Sequence, residues 1–153
     1  MSQRSAPPRL AVRGILIEEG RLLLVNAWRG RTHLWCAPGG GVEPHTSLPD
    51  NLAREIHEET GLSVRVGPPC LVNEFHDPNG TFHQVEVFFR CRREGGLLSD
   101  AWRDPEGVVS RRRWVERAEA ERMAEGRALR PASLPAVAFG RGILYDALEP
   151  ILR

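Results

Sequence analysis

The chain has 153 residues, which is enough for one domain with a buried core. Its formal net charge of +1 gives no overall attraction to nucleic acid or to a membrane surface. No apolar run is long enough to cross a bilayer, and the polar start MSQRSAPPRL lacks the apolar core of a signal peptide. The three cysteines form no Cys-x-x-Cys pair, so we expect buried reduced thiols and a cytoplasmic protein, without a zinc site or a disulfide framework.

The first predicted elements are a flexible tail and a β-hairpin. Residues 1–8 are expected to be the tail, and residues 9–153 a single domain. Leu10–Ile17 is rich in Val and Ile and predicts a strand, which a Glu-Glu-Gly turn connects to a returning strand at Arg21–Trp28. The apolar run Leu22–Val25 predicts that the returning strand is buried on both faces.

A polar loop follows the hairpin and leads through a short predicted strand, Leu34–Cys36, into a glycine run. Arg29 and Arg31 could donate charge-assisted hydrogen bonds to a diphosphate, and Trp28 and Trp35 could stack on a base. The alternative is that both arginines are solvated loop residues and that both tryptophans belong to the core.

The stretch after the glycine run predicts the main helix. Leu48, Leu52 and Ile56 recur every four residues and give the helix one apolar stripe. Ser47 is the expected N-cap, with Asp50 as the acidic half of a capping box, and Gly61 suits the left-handed residue that ends a helix.

Three glutamates stand together on one flank of this helix. Glu55, Glu58 and Glu59 are spaced i, i+3 and i+4, so their charges repel one another by roughly 0.2–0.5 kcal/mol per pair. Glu59 also projects beside Leu52, at the border of the buried stripe, where a carboxylate needs a partner. A hard divalent cation would compensate for both costs, whereas the plain alternative is a solvated acidic face. His57 projects away from the glutamates and is expected to be solvated.

The next segment predicts strands around a second hairpin. Two short strands, Val64–Val66 and Leu71–Phe75, are expected on either side of Pro68-Pro69, and Asp-Pro-Asn-Gly predicts the turn that follows. His83–Arg90 alternates and predicts a strand with Val85, Val87 and Phe89 on its core face. The hairpin would bring His76 near His83, and Phe82 beside the turn could stack on a base or be an ordinary aromatic residue.

The last third of the chain predicts one more strand and two helices. Arg111–Val115 is the expected strand, and Glu116–Met123 is the helix, which Gly126 ends. A final helix is predicted over Ala136–Leu148, with Val137, Ile143, Leu144 and Leu148 available for packing. Strands in blocks with few helices indicate an α+β domain.

The glycine run and the glutamate helix together resemble the signature of the Nudix hydrolase family. That signature runs Gly, five residues, Glu, seven residues, then Arg-Glu-aliphatic-x-Glu-Glu-x-Gly-aliphatic. Gly40 takes its first position, and Arg54–Leu62 matches every fixed position of its second half. The chain departs from the pattern at Thr46, which stands in place of the first glutamate, and at His45, where a glycine is common.

The resemblance implies a fold and a set of site residues. Nudix proteins form an α/β/α sandwich around a mixed sheet, and they use Mg²⁺ or Mn²⁺. By the resemblance, Glu55, Glu58 and Glu59 supply metal ligands and the catalytic base, the carbonyl of Gly40 is a further ligand, and Arg54 orients a glutamate. Many members add a carboxylate from a later loop, for which Glu106 is the first candidate and Glu86 the second.

The function implied is Mg²⁺-dependent hydrolysis of a nucleoside diphosphate linked to another group, such as ADP-ribose, or of a nucleoside triphosphate. Two alternatives stay open: a non-catalytic nucleotide-binding domain that acts as a ligand sensor, which Thr46 favours, and an enzyme similar to isopentenyl diphosphate isomerase. The expected partner is a small nucleotide, with neither nucleic acid nor membrane. The sequence leaves open whether the protein is a monomer or a homodimer.

Overall fold

The fold was analysed in a computed structural model, which describes residues 6–26 and 33–151. In chain order, the elements are β1 (Arg9–Glu18), β2 (Arg21–Val25), β3 (Gly39–Gly41), α1 (Leu48–Thr60), β4 (Ser63–His76), β5 (His83–Gly95), β6 (Arg112–Glu116), α2 (Arg117–Glu125), α3 (Leu134–Ala138), β7 (Leu144–Tyr145) and β8 (Glu149–Pro150). No helix within those two ranges is long and apolar enough to span a membrane.

The strands form one mixed sheet with β1 near its centre. The order is β6-β2-β1-β5-β4-β7, with β3 paired to β1 and β8 paired to β4. The β1–β5 pair is parallel, whereas β1 is antiparallel to β2 and to β3. β1 therefore carries both the glycine strand and the long second hairpin, and it sets where these two parts of the chain meet.

Helices cover both faces of the sheet, as the predicted α/β/α sandwich requires. Leu52 and Ile56 of α1 pack with Val12, Leu16 and Leu23 in one core cluster. A second cluster places α2 and α3 against the residues that alternate with these along the strands, such as Ile15, Leu22 and Leu24. The predicted burial of the Leu22–Val25 run on both faces is confirmed, and so is the α+β class.

Helix α1 begins and ends where the sequence predicts. The Ser47 side chain accepts a hydrogen bond from the Asp50 backbone N–H at 3.2 Å. Gly61 adopts the left-handed conformation, with φ of 76°, and its N–H donates to the carbonyl of His57 at 2.8 Å. The glutamate flank is thus held in a helix with both ends capped.

The predicted final helix over Ala136–Leu148 is wrong. Helix α3 ends at Ala138, and β7 and β8 then pair as short parallel strands with the edge of β4. Val137 is buried as expected, but Ile143 is 82% exposed, and Leu144 and Leu148 are also exposed. The glycines at 140 and 142 disfavour a helix here, and the unpaired edge of β4 offers backbone hydrogen bonds instead.

Three strand predictions also need correction. β4 runs unbroken through Pro68-Pro69, because a register irregularity accommodates both prolines. Leu34–Cys36 forms two single bridges, Val25 to Cys36 and Trp35 to Leu129, and not a continuous strand. In β5, Phe89 is buried and Val87 packs against the same core cluster as predicted, but Val85 is only partly buried, and Gln84 and Glu86 on the opposite face are buried as well.

Candidate active site

A polar cleft with a volume of about 270 Å³ lies between β3 and the glutamate flank of α1. Five carboxylates line it: Glu43, Glu55, Glu59, Asp104 and Glu106. Glu55 and Glu59 come from α1, whereas Asp104 and Glu106 come from the loop between β5 and β6. The fold therefore brings Glu55 and Glu59 of the family signature together with Glu106, the predicted later carboxylate.

Gly40 allows the side chain of Glu55 to lie directly against the backbone of β3. A Cβ at this position would be 2.7 Å from the Glu55 carboxyl carbon, which is closer than real contacts allow. Burial raises the pKa of Glu55, while the neighbouring guanidinium of Arg54 opposes this rise. Any larger residue at position 40 would force the Glu55 carboxylate to move from its present position.

Glu59 is the most deeply buried of the three glutamates in the family signature. Its Oε2 accepts a hydrogen bond from the Gly39 N–H at 3.1 Å. Burial raises the pKa of Glu59 well above its ordinary value, and the charge of Arg13 and the Gly39 N–H only partly offset this. In the absence of another cation, the charged form of Glu59 is therefore disfavoured.

Arg54 lies beside the cleft and orients the carboxylates around it. Its Nη1 is 3.3 Å from Glu55 Oε1 and 3.4 Å from Glu58 Oε1, and its Nη2 is 3.7 Å from Glu43 Oε1. Glu58 contacts Arg54 but does not line the cleft, whereas Glu55 and Glu59 do line it. These ion pairs agree with the expected orienting contact of Arg54.

Asn51 is a site residue that the sequence reasoning missed. It is completely buried at the start of α1, and its Oδ1 accepts from the Glu43 N–H at 3.0 Å and from Arg54 at 3.2 Å. Its Nδ2 donates to the carbonyls of Thr46 and Ser47, both at 2.9 Å. A polar residue directly beside Leu52 of the apolar stripe was the available signal.

Thr46 and His45, the two departures from the family pattern, lie in the loop that Asn51 holds. The Thr46 side chain is exposed, so the backbone carbonyl is the part of this residue that Asn51 fixes. His45 has a φ of 68°, a left-handed conformation in which glycine is the least strained residue.

Arg13 was also missed, although it is a charged residue in the middle of an apolar strand. Its Nε donates to Glu86 Oε1 at 2.9 Å, and its Nη1 donates to the carbonyl of Ala37 at 3.0 Å. Burial opposes the charge of Arg13, but the carboxylates of Glu86 and Glu59 together raise its pKa. Glu86, the second candidate for the later carboxylate, is thus the partner of a buried arginine, and it does not line the cleft.

A second, more apolar cavity of about 180 Å³ lies on the other side of Arg13. Its lining includes Asn73, Phe75, Leu129 and Pro131, together with Arg13 itself. Arg13 lines both cavities, so it stands between a carboxylate-rich space and a more apolar space whose lining also includes Arg127 and Arg130.

The two described residues that were predicted to bind substrate do not line the cleft. Trp28, Arg29 and Arg31 lie outside the described residues. Trp35 is 5% exposed, and the guanidinium of Arg111 lies over its ring at 5.0 Å, so it is a core residue. Phe82 lies at the hairpin tip, with its ring 5.7 Å from that of Phe75, and lines neither cavity.

The donor set of the cleft fits a hard divalent cation. Carboxylates and backbone oxygens are the ligands that Mg²⁺ and Mn²⁺ prefer, and Glu55, Glu59 and Glu106 line the cleft beside the glycine strand. Within residues 6–26 and 33–151, no three acidic, histidine or cysteine side chains already converge on one point closely enough to hold an ion.

Comparisons with known proteins agree with this geometry. The sequence model of the NUDIX domain matches residues 7–135. The chain is 31% identical over 138 residues to a MutT-like protein of Streptomyces ambofaciens, and the match covers 84% of this chain and 79% of that protein. It is 30% identical over 92 residues to the putative ADP-ribose pyrophosphatase YjhB of Bacillus subtilis, and the match covers 58% of this chain but only 43% of that protein. The crystal structure of a MutT protein from Bacillus halodurans has a similar fold, with a TM-score of 0.68 at 22% identity over 90% of this chain and 86% of that chain.

Proposed function

Since the chain belongs to the NUDIX family and is a hydrolase of pyrophosphate bonds, we propose that it cleaves the diphosphate linkage of a nucleoside diphosphate joined to another group, with Mg²⁺ or Mn²⁺ as cofactor. The observation that carries this proposal is the cleft in which Glu55, Glu59 and Glu106 lie beside the glycine strand. A diphosphate needs a cationic environment, and the cleft offers oxygen ligands for cations together with Arg9 and Arg13.

The residues of the cleft divide the work between binding and proton transfer. Glu55 and Glu59 would hold the metal, with the Gly40 carbonyl as a further ligand and Glu58 available on the same flank. Bound Mg²⁺ or Mn²⁺ would neutralise the charge of the diphosphate and lower the pKa of a coordinated water. Glu106 is the proposed acceptor of the proton, because it lines the cleft but is not one of the proposed metal ligands. Arg54 keeps Glu55 and Glu58 oriented through its ion pairs.

The apolar cavity is the proposed compartment for the nucleoside. Phe75, Leu129 and Pro131 offer flat apolar contacts to a base, and Asn73 offers polar atoms. Because Arg13 lines this cavity and the cleft, a substrate that spans both would place its diphosphate on the cleft side of Arg13. This arrangement favours a nucleoside-containing substrate over one that carries only phosphates.

The test is hydrolysis of a substrate panel by the purified protein. The panel contains ADP-ribose, other nucleotide sugars, dNTPs including oxidised ones, and dinucleoside polyphosphates, each with Mg²⁺, with Mn²⁺ and with EDTA. We expect metal-dependent cleavage of at least one compound into two phosphate-containing products. Full activity with EDTA would refute the metal role, and binding without cleavage would favour the ligand sensor that Thr46 suggests.

Matched variants of α1 test the assignment of the site. Glu55→Gln and Glu59→Gln are each expected to lower kcat by about 10²-fold or more, in the range of general acid–base groups. Asp50→Asn is the control, because Asp50 is on the same helix but exposed and outside the cleft. Glutamate variants with full activity would remove the site from α1.

A further inference from the structure

The loop between β5 and β6 is fastened to the carbonyl end of α1 at two points. The indole Nε1 of Trp102 donates a hydrogen bond to the carbonyl of Glu58 at 2.8 Å. The Nε of Arg112 donates to the carbonyl of Glu59. These carbonyls are in the last turn of the helix, where backbone acceptors have no partner within the helix.

Packing reinforces the contact of Trp102 with the helix. A Cβ at Gly61 would lie 2.8 Å from the indole ring, so the ring rests directly on the left-handed residue that ends α1. The ring of His57 meets the same indole edge-on, with 5.4 Å between centroids. His57 is exposed as predicted, but one side of its ring also packs against the indole of Trp102.

Between the two anchors, the loop is folded into a tight turn that presents Glu106. The carboxylate of Asp104 accepts hydrogen bonds from the N–H groups of Glu106 at 3.0 Å, Val108 at 3.2 Å and Val109 at 2.9 Å. Asp104, Glu106 and Val108 all line the cleft, whereas Trp102 and Arg112 do not. The anchors therefore touch the helix that carries the metal ligands, and the turn between them reaches the cleft.

We propose that Trp102 and Arg112 are positioning residues that hold the turn against the last turn of α1 and so fix the Glu106 carboxylate in the catalytic cleft. This inference rests on the proposed function, because Glu106 must act in the cleft for its position to affect the reaction. The chemical reason is that both anchors bind backbone atoms of Glu58 and Glu59, so the loop moves with the glutamates that would hold the metal.

The kinetic test is a double-mutant cycle of Trp102→Phe and Glu106→Gln. Trp102→Phe keeps one aromatic ring near Gly61 and removes the N–H together with part of the indole. We expect kcat to fall about threefold to tenfold, as for the loss of one hydrogen bond, with KM little changed. In the Glu106→Gln background, Trp102→Phe should have no further effect. An equal loss of kcat in both backgrounds, or no loss in the wild-type background, would refute the positioning role.

Trp114→Phe is the matched control, because Trp114 packs in the α1-side core but lies on β6 outside the loop. It should lower the melting temperature at least as much as Trp102→Phe while changing kcat less than twofold. If Trp114→Phe lowers kcat as much as Trp102→Phe does, the effect is a general loss of stability and the inference fails.

Hydrogen exchange gives a readout that does not depend on activity. Trp102→Phe should speed amide exchange at Glu106, Val108 and Val109 while leaving β1 and β5 protected as in the wild type. Unchanged exchange in the turn would overturn the anchor. If the wild type hydrolyses nothing in the substrate panel, the proposed function fails, but the exchange data still decide whether Trp102 holds the loop.

Discussion

The buried ion pair between Arg13 and Glu86 makes the sharpest stability prediction. The two groups are 2.9 Å apart, and their side chains are only 8% and 5% exposed. Glu86→Gln keeps the shape of the side chain but leaves the guanidinium of Arg13 without its carboxylate. Removing one partner of such a pair costs about 3–5 kcal/mol of unfolding free energy, which is a large part of the roughly 5–15 kcal/mol of a typical domain. At about 2–4 °C per kcal/mol for a chain of this size, we expect the melting temperature to fall by roughly 6–20 °C.

The pair of Arg93 and Glu18 provides a matched control for this measurement. Its atoms are equally close, at 2.8 Å, but both side chains are 32% exposed. Glu18→Gln should therefore lower the melting temperature much less, because water screens the remaining charge. Thermal and urea unfolding of both variants measure the difference. Equal losses for Glu86→Gln and Glu18→Gln would refute the assigned role of burial.

A double variant separates the loss of the pair from the cost of a lone buried charge. Arg13→Met alone should be strongly destabilising, because Glu86 is then buried without a cation. Arg13→Met with Glu86→Met should recover much of the lost stability, since neither charge remains. If the double variant is as unstable as the two single losses combined, the hydrogen bonds of Arg13 to the rest of the sheet matter more than the charge pair.

Three further outcomes follow from the glutamate helix and its preceding loop. In metal-free buffer, Glu59→Gln should raise the melting temperature relative to wild type, because burial raises the pKa of Glu59 above its ordinary value of 4.5 and the folded protein therefore favours its protonated form. Because the pKa of Glu59 is raised in the folded protein, the difference in melting temperature should be small near pH 4 and should grow as the pH rises. A constant difference between pH 4 and pH 8 would contradict this explanation. His45→Gly should leave stability unchanged or raise it by up to about 1 kcal/mol, since relief of the left-handed strain opposes the entropy cost of glycine, and a clear loss in urea unfolding would count against strain at this position. Thr46→Glu should keep the fold and leave Mg²⁺ binding unchanged or tighter by titration calorimetry, because the side chain is exposed and Asn51 holds the backbone, whereas a large loss of activity would mean that the loop does not serve the cleft as proposed.

The helix and its glutamates could be predicted because their signals are local. The apolar spacing, the Ser47 cap and the left-handed Gly61 all lie within one short stretch, and each acts on its own neighbours. The family signature added the glycine strand, whose position relative to Glu55 no periodicity could give. This part of the site was therefore available from the sequence before any tertiary contact was known.

The buried polar residues could not be predicted, because their partners are remote in sequence. Arg13 and Glu86 are separated by 73 positions, so neither residue signals the other. The alternation of β5 predicts one core face, but it does not predict that Gln84 and Glu86 on the other face are buried, because the partner of Glu86 is remote in sequence. For the same reason, the indole of Trp102 gave no sign that its acceptor is a carbonyl of α1, 44 positions earlier.

The final helix failed for a different physical reason. The segment after Ala138 contains enough apolar residues for a helical stripe, but Ile143, Leu144 and Leu148 remain exposed. The open edge of β4 then decides the outcome, because it pairs with residues 144–145 and 149–150. Competition between a helix and an available sheet edge is a tertiary matter that local propensity does not resolve.

The parallel pairing of β1 with β5 has a consequence for how the chain folds. Arg9 lies opposite Gln84, 75 positions later, and β1 also holds the glycine strand through its first half. The entropy of closing so long a segment must be overcome before these contacts form, so this step is expected to be slow relative to formation of the local hairpins. During synthesis at about 5–20 residues per second, β1 must wait several seconds for β5 to emerge from the ribosome. Over that interval its apolar residues have no sheet partner on one side, which makes this strand the expected site of chaperone binding or aggregation in the nascent protein.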